Sequence, residues 1–253
     1  MFRSRDIAIV FDFDGTIAET ERLGHRVAYN EAFAELGLPW RWDDALYARL
    51  LQIGGGKERL MSYFAEVDPE HAHDAAFAAR VHLVKQKHFR RLAHSLPIRP
   101  GVARLVAEAR AAGAALAIAT TASLDSVRAV SDGSPALAEA FEVVASGDDV
   151  ANKKPAPDVY QVALTRLGRT PERCIAIEDS ALGLRSARAA GLLALVTPSS
   201  YTIDENFAGA AAVLDSLGEP DTPVVTLAGP PPPRGYVDLA YLTARLNAAM
   251  HEA

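Results

Sequence analysis

With 253 residues, 49% of them apolar, the chain is long enough for one or two domains around a sizeable core. Its net charge of −6 argues against the basic stripe that a nucleic-acid binder normally presents. A single cysteine, Cys174, excludes an internal disulfide, and its setting Cys174-Ile175-Ala176-Ile177 reads as a thiol buried in a strand. No apolar run approaches the ~18 residues of a membrane span. Residues 1–6 lead straight into an apolar segment and show no signal-peptide pattern. The expectation is a soluble, cytoplasmic monomer that binds neither nucleic acid nor membrane.

Residues 7–11 form a continuous apolar run closed by Asp12-Phe13-Asp14-Gly15-Thr16, which predicts a strand buried on both faces. Residues 18–96 carry no clear strand. Tyr29, Phe33 and Leu36 stand at helical spacing there, and residues 69–93 read as helix, so the segment is expected to be an all-helical insertion. Pro97 and Pro100-Gly101 mark its end. Beyond them Val102, Leu105, Val106 and Ala109 share a helical face that Gly113 can close. A strand over 116–119 ends at Thr120-Thr121, and Val143-Val144 leads to Ser146-Gly147-Asp148-Asp149. A helix over 158–167 follows, then a strand over 174–177 ending at Glu178-Asp179, a helix up to Gly191 and a strand over 192–196. This alternation predicts an α/β fold, a doubly wound parallel sheet. Ligands bind such sheets at the carboxyl ends of the strands, where the insertion would form a lid. Pro230 to Pro233 read as a stiff spacer before a short helix whose apolar stripe is Leu239, Leu242, Leu246 and Met250.

Asp12 and Asp14 lie two apart at a strand end, so both carboxylates point one way if the strand persists through them. They repel one another, and an oxygen-seeking cation such as Mg²⁺ relieves that repulsion. A plain Asx turn would also explain Asp-Gly at this point. Thr120 could hydrogen-bond a phosphoryl oxygen or cap a helix. Lys154 could neutralise a phosphoryl oxygen or lie in solvent. Asp179 could complete a metal site, or with Glu178 favour a helix dipole. All four close predicted strands, where a doubly wound fold gathers its site.

Phe11-Asp12-Phe13-Asp14-Gly15-Thr16, Ala119-Thr120-Thr121, Lys153-Lys154-Pro155-Ala156-Pro157-Asp158 and Ile177-Glu178-Asp179-Ser180 together resemble the four ordered motifs of the haloacid dehalogenase superfamily. The resemblance runs over residues 7–214. It implies a Rossmann-like core (1–17 and 97–229) with an inserted helical cap (18–96), leaving 230–253 as spacer and terminal helix. It also implies roles: Asp12 as nucleophile, Asp14 as general acid/base, and Thr120 and Lys154 as binders of the transferred phosphoryl. Mg²⁺ would be held by Asp12, Asp179 and the main-chain carbonyl of Asp14, with Glu178 in support. In the cap, Ala18-Glu19-Thr20-Glu21, Gly24-His25-Arg26, Tyr29-Asn30-Glu31, Trp40-Arg41-Trp42-Asp43 and Gly55-Gly56-Lys57-Glu58-Arg59 are similar to the CbbY subgroup. That subgroup is related to β-phosphoglucomutase and includes phosphatases that remove xylulose-1,5-bisphosphate, an inhibitor of Rubisco in the Calvin cycle. The resemblance implies a small phosphorylated sugar as partner and xylulose 5-phosphate as product. Gln52-Ile53-Gly54 departs from it, standing where a Thr-Gly stretch is expected.

A bisphosphate needs a second anion site away from the chemistry. His25, Lys57, Arg59 and Lys85 are the candidates, with Glu19 for sugar hydroxyls and Thr121 beside Thr120; a solvated cap face is the bland alternative. His71, His73, His82, His88 and His94 show no metal spacing and are expected on the surface. A sugar-phosphate mutase would use the same residues. A dehalogenase proper has no use for an acid at position 14, and a non-catalytic module would have lost motif residues, of which none is lost.

Overall fold

The structure is a computed structural model and describes residues 2–252. Its centre is β1 (Ala8–Phe11), four residues with every side chain buried. Parallel partners flank it on both sides: β2 (Ala115–Ala119) and then β3 (Val143–Ala145) on one, β4 (Cys174–Glu178), β5 (Leu193–Val196) and β6 (Ala212–Leu214) on the other. A seventh strand, β7 (Thr226–Ala228), closes that edge antiparallel to β6. The strands β6 and β7 were not legible in the sequence; each has three residues, too few to show a period.

The two faces of the sheet differ in size. Ile7, Ile9, Phe11, Leu116, Ile118, Ile175, Ile177 and Leu195 point to one side. Ala8, Val10, Ala115, Ala117, Ala119, Cys174, Ala176 and Ala194 point to the other. The bulky face is covered by α5 (Val102–Ala112) and α6 (Leu124–Ser131), with the short α7 (Pro135–Ala138) contributing Leu137. The alanine-rich face is covered by α8 (Asp158–Leu167) and α9 (Ala181–Ala189). Helices on both faces make the fold doubly wound, as expected. The expected end at Gly113 holds, closing α5 in the left-handed region at φ 74°, and Gly168 closes α8 in the same way at φ 61°.

The cap comprises α1 (Arg26–Glu35), opened by a wide π turn at Glu21–His25, then α2 (Asp44–Leu50), α3 (Gly56–Val67) and α4 (Ala75–Ala93). Its aromatic core of Tyr29, Phe33, Trp42, Tyr47, Tyr63 and Phe64 is separate from those of the sheet. The helix expected over 69–93 begins only at Ala75, where the Asp74 side chain accepts the Phe77 N–H at 2.8 Å. The chain leaves and re-enters the core side by side: Ala18 bridges Ile98, and Arg99 N–H bonds the Ile17 carbonyl at 2.9 Å.

The last helix, α10 (Leu239–Glu252), is no appendage. Leu239, Leu242 and Leu246 join the bulky-face core, while Met250, expected on the same stripe, is 52% exposed. Residues 230–233 connect β7 to α10 without holding it apart. Pro232 is buried and the Tyr241 hydroxyl donates to the Pro230 carbonyl at 2.6 Å. Leu242→Ala should therefore lower the unfolding free energy by ~2–5 kcal/mol, and Met250→Ala by no more than ~0.5 kcal/mol, measured from urea midpoints. Equal effects would place α10 outside the folding core.

Candidate active site

The carboxyl ends of β1, β2 and β4 meet in a small cavity of about 70 Å³ lined by Asp12, Asp14, Thr120, Thr121, Lys154 and Asp179, among others. Lys154 is its centre. Its ammonium donates to Asp12 Oδ1 and to Glu178 Oε1, both at 2.6 Å, and Tyr160 adds its hydroxyl to the same Glu178 oxygen at 2.5 Å. Glu178 is wholly buried. Burial pushes the Asp12 carboxyl up to about 7, with Lys154 opposing and Glu178 and Asp14 adding to the rise. Burial and the nearby charges of Asp12 and Glu178 push Asp179 well above its ordinary range. Asp12, Glu178 and Asp179 each bring a carboxylate oxygen within 4.8 Å of the others. Hard, crowded, buried oxygens of this kind suit Mg²⁺. Both Glu178 oxygens are engaged, one by Lys154 and Tyr160 and the other by the Asp179 N–H at 3.3 Å, whereas Lys154 takes only one oxygen of Asp12, so Asp12 and Asp179 are the better placed of the three to hold an ion. Gly15 is obligatory here: its φ is 80°, and a side chain on it would run into the Asp179 carboxylate.

Asp14 turns toward the cap. Its Oδ1 accepts from the Thr20 hydroxyl at 2.5 Å and lies 3.1 Å from His25 Nε2. On the far side of the imidazole, Lys85 Nζ lies 2.7 Å from Nδ1, and Phe89 stacks on the ring at 4.0 Å between centroids. Burial raises the Asp14 carboxyl, but His25, Thr20 and Lys85 outweigh it and the net shift is downward. A buried line of proton-carrying groups thus runs from the cap to the core.

A larger cavity of about 180 Å³ lies between cap and core and adjoins the first, sharing Asp14, Glu21, Arg59 and Thr121. Lys57 lies exposed at this cavity with no side-chain partner among the described residues. Arg59, expected beside Lys57 to grip a phosphate, has another occupation. It is buried and donates to the Leu50 carbonyl at 3.1 Å and to the Tyr47 hydroxyl and Ile53 carbonyl at 3.3 Å, so its fork braces the loop. Thr120 lines the small cavity while its oxygen accepts the Ala122 N–H at 3.0 Å. Glu19, expected at the sugar, is outside both cavities, with one carboxylate oxygen buried and unbonded.

Several residues were missed. Glu21 borders both cavities and accepts the Tyr47 hydroxyl at 2.5 Å. Its place four residues before His25, on one helical face, was the available signal. His82, expected on the surface, lines the larger cavity. Burial, then the charges of Lys85 and Lys57, push its pKa down to about 3, so it is neutral. It precedes Lys85 by three, the spacing of one face. His88 is wedged between Glu31 at 3.0 Å and Glu35 at 2.8 Å. Gln86 reaches from α4 to Ser123 and Ser126 of the core at 2.9 and 3.0 Å. Nothing in the sequence set Tyr160 apart from an ordinary core tyrosine.

A doubly wound core that ends in an acid–lysine cluster beneath a helical cap defines a phosphoryl-transfer hydrolase. The chain belongs to the haloacid dehalogenase-like hydrolase family, which matches residues 8–191, and it is a phosphatase. It is 46% identical over 254 residues to protein CbbY, plasmid, of Cupriavidus necator, covering 97% of this chain and 99% of that one. To protein CbbY of Cereibacter sphaeroides it is 48% identical over 217 residues, 84% of this chain and 93% of that one. A crystal structure of mutant CbbY from Rhodobacter sphaeroides in complex with xylulose-(1,5)bisphosphate superposes with a TM-score of 0.76 at 47% identity, over 83% of this chain and 93% of that one. β-Phosphoglucomutase from Clostridium difficile, with a TM-score of 0.76 at 19% identity, shares the fold. Among the described residues no helix is long and apolar enough to cross a membrane.

Burial pushes the Lys85 pKa down from its ordinary 10.5 to about 7, against the pull of Glu21 and Asp14. The unfolded chain thus holds that proton more tightly. The resulting destabilisation is complete below about pH 7 and vanishes above about 10.5. Lys85→Met should raise the Tm at pH 6, by about 2–4 °C for each kcal/mol recovered, and the gain should shrink as the pH approaches 10. A gain independent of pH would assign the effect to packing alone.

Proposed function

We propose that the chain is a Mg²⁺-dependent phosphatase acting on a small sugar bisphosphate, with xylulose-1,5-bisphosphate the leading substrate and xylulose 5-phosphate its product. Phosphatase action on sugar phosphates is the coarser statement that the CbbY relatives support. The observation that carries the finer one is the position of Asp14 at the junction of two cavities. One holds the nucleophile; the other is a polar chamber large enough for the rest of a sugar and bordered by Lys57.

In the first step Asp12 attacks phosphorus, and the P–O bond to the sugar breaks as Asp14 delivers a proton to the leaving oxygen. Asp14 is ionised in this state, so that proton reaches it through His25, which Lys85 backs at 2.7 Å. In the second step ionised Asp14 takes a proton from water, which cleaves the aspartyl-phosphate and frees Asp12 and phosphate. Lys154 holds a positive charge against the transferred oxygens, Thr120 offers its hydroxyl hydrogen, and the main-chain N–H groups directly after Asp12, those of Phe13 and Asp14, complete the cradle, since Gly15 and Thr16 spend theirs on the carbonyls of Ala18 and Phe13. Mg²⁺, held by Asp12 and Asp179, would supply charge neutralisation for the phosphoryl group and keep the crowded carboxylates ionised. Lys57 and the neutral His82 border the chamber where the second phosphate would lie, and Glu21 faces the sugar hydroxyls.

A panel of sugar mono- and bisphosphates, with phosphate release and product identity as readouts, tests the reading. Xylulose-1,5-bisphosphate should give xylulose 5-phosphate; an isomeric sugar phosphate without net phosphate release would instead mark a mutase. Asp12→Asn should abolish turnover, and Asp14→Asn should slow it by about 10²- to 10⁴-fold. Lys57→Ala should lower kcat/KM for the bisphosphate by roughly 10- to 100-fold, the worth of one charge-assisted contact. It should leave p-nitrophenyl phosphate hydrolysis nearly unchanged. Equal losses on both substrates would remove the distant-phosphate role.

A further inference from the structure

Gln52, the residue at which the cap motif departs from expectation, follows α2 in a loop that lies directly on the core. A side-chain carbon added to Gly54 would stand 2.6 Å from the Lys154 carbonyl. From this loop Gln52 Nε2 donates across the domain boundary to Glu205 Oε1 at 2.5 Å. The other oxygen of Glu205 accepts the Ala181 N–H at 2.6 Å, at the start of α9 and two residues beyond Asp179. One turn earlier in the same core segment, Tyr201 donates to Asp44 of α2 at 2.6 Å, and its ring meets Tyr47 edge-on with centroids 5.6 Å apart. Between these two contacts Thr202 donates to the Asp179 carbonyl at 2.7 Å and accepts the Ser199 N–H at 2.9 Å. The segment 199–205 is therefore fastened at one side to the backbone of the phosphoryl cavity and reaches the cap with the other.

We propose that Gln52, Tyr201 and Glu205 form a latch that holds the cap loop 52–56 down over the phosphoryl cavity, and that they are positioning residues for substrates long enough to fill both cavities. Three features support this. Both contacts join the cap to a single core segment. Thr202 ties that segment to the Asp179 carbonyl independently of the cap, so opening the latch frees the cap loop while the wall of the phosphoryl cavity stays in place. Tyr47, which Tyr201 touches, also holds Glu21 at the wall shared by the two cavities. A small substrate confined to the phosphoryl end needs none of this ordering; a molecule gripped at two ends does.

The part that concerns substrate length rests on the sugar-bisphosphate reading; the latch itself does not. Hydrogen exchange of residues 52–56 in the full chain without ligand tests the latch directly. Gln52→Glu sets a carboxylate against Glu205 and should speed exchange in the loop by roughly 3- to 10-fold. Adding Glu205→Gln restores an amide–carboxylate pair with the roles exchanged and should bring exchange back near the original rate. Tyr201→Phe should loosen the loop in the same direction. Exchange unchanged in Gln52→Glu, or not rescued in the double variant, overturns the latch. In kinetics, Gln52→Glu and Tyr201→Phe should raise KM for the bisphosphate about 3- to 10-fold with kcat within about twofold, and leave p-nitrophenyl phosphate unaffected. Equal effects on both substrates overturn the positioning role. If the unaltered chain hydrolyses no sugar bisphosphate, the substrate reading fails, and the exchange measurement still decides the latch.

Discussion

The site depends on a buried ammonium held between two carboxylates. Lys154 sits 2.6 Å from both Asp12 and Glu178, and all three are almost entirely out of water. Burial pulls the Lys154 pKa down, but the two carboxylates reverse the balance and raise it overall. Such a group is tolerable only when every partner is in place, because removing one leaves an uncompensated charge in a poor solvent. The fold supplies that completeness. The two carboxylates come from adjacent strand ends, the lysine from the loop before α8, and Tyr160 from α8 itself. Parallel register between β1 and β4 fixes the acids, since a slip of one residue would turn a carboxylate to the other face.

From that cluster the rest follows in order of distance. Asp12 keeps an oxygen near Asp179, a pair able to hold a cation, and Asp14, one side-chain period further on, escapes the cluster and answers to the cap. The two acids of one short motif thus live in different electrostatic settings. Asp12 is pushed up by burial, while Asp14 is drawn down by His25 and Thr20 despite burial. Environments that separate neighbouring carboxylates in this way are how one site runs both nucleophilic and proton-transfer steps.

The core was legible because its signals are local. Apolar runs of four or five residues closed by Asp12, Thr120 and Glu178 mark strands and strand ends without any knowledge of their partners, and Gly113 announces the end of α5 by its conformation alone. The cap was less legible because its functional groups are distinguished by what they face. Arg59 and Lys57 are two residues apart and equally cationic, yet one is buried bracing carbonyls and the other is exposed at the cavity. Glu19 and Glu21 differ only in which side of a turn they occupy. His82 reads as a surface histidine until α4 is laid against α3. The end of the chain misled for a related reason: four prolines describe a stiff segment, but stiffness says nothing of whether it leads away from the core or along it.

The side-by-side crossing of the chain at Ala18 and Ile98 has a consequence for how this architecture could have arisen and diversified. The cap begins and ends at neighbouring points of a single loop, so inserting or exchanging it asks little of the core beyond closing one surface connection. The Lys154 cluster and the cap are thereby separable pieces of chain, although a new cap would have to bring its own partners for Asp14 in place of Thr20, His25 and Lys85. A gene segment encoding a different set of helices could be grafted at this junction and redirect the enzyme to another phosphate ester, while the buried lysine and its two carboxylates stayed untouched.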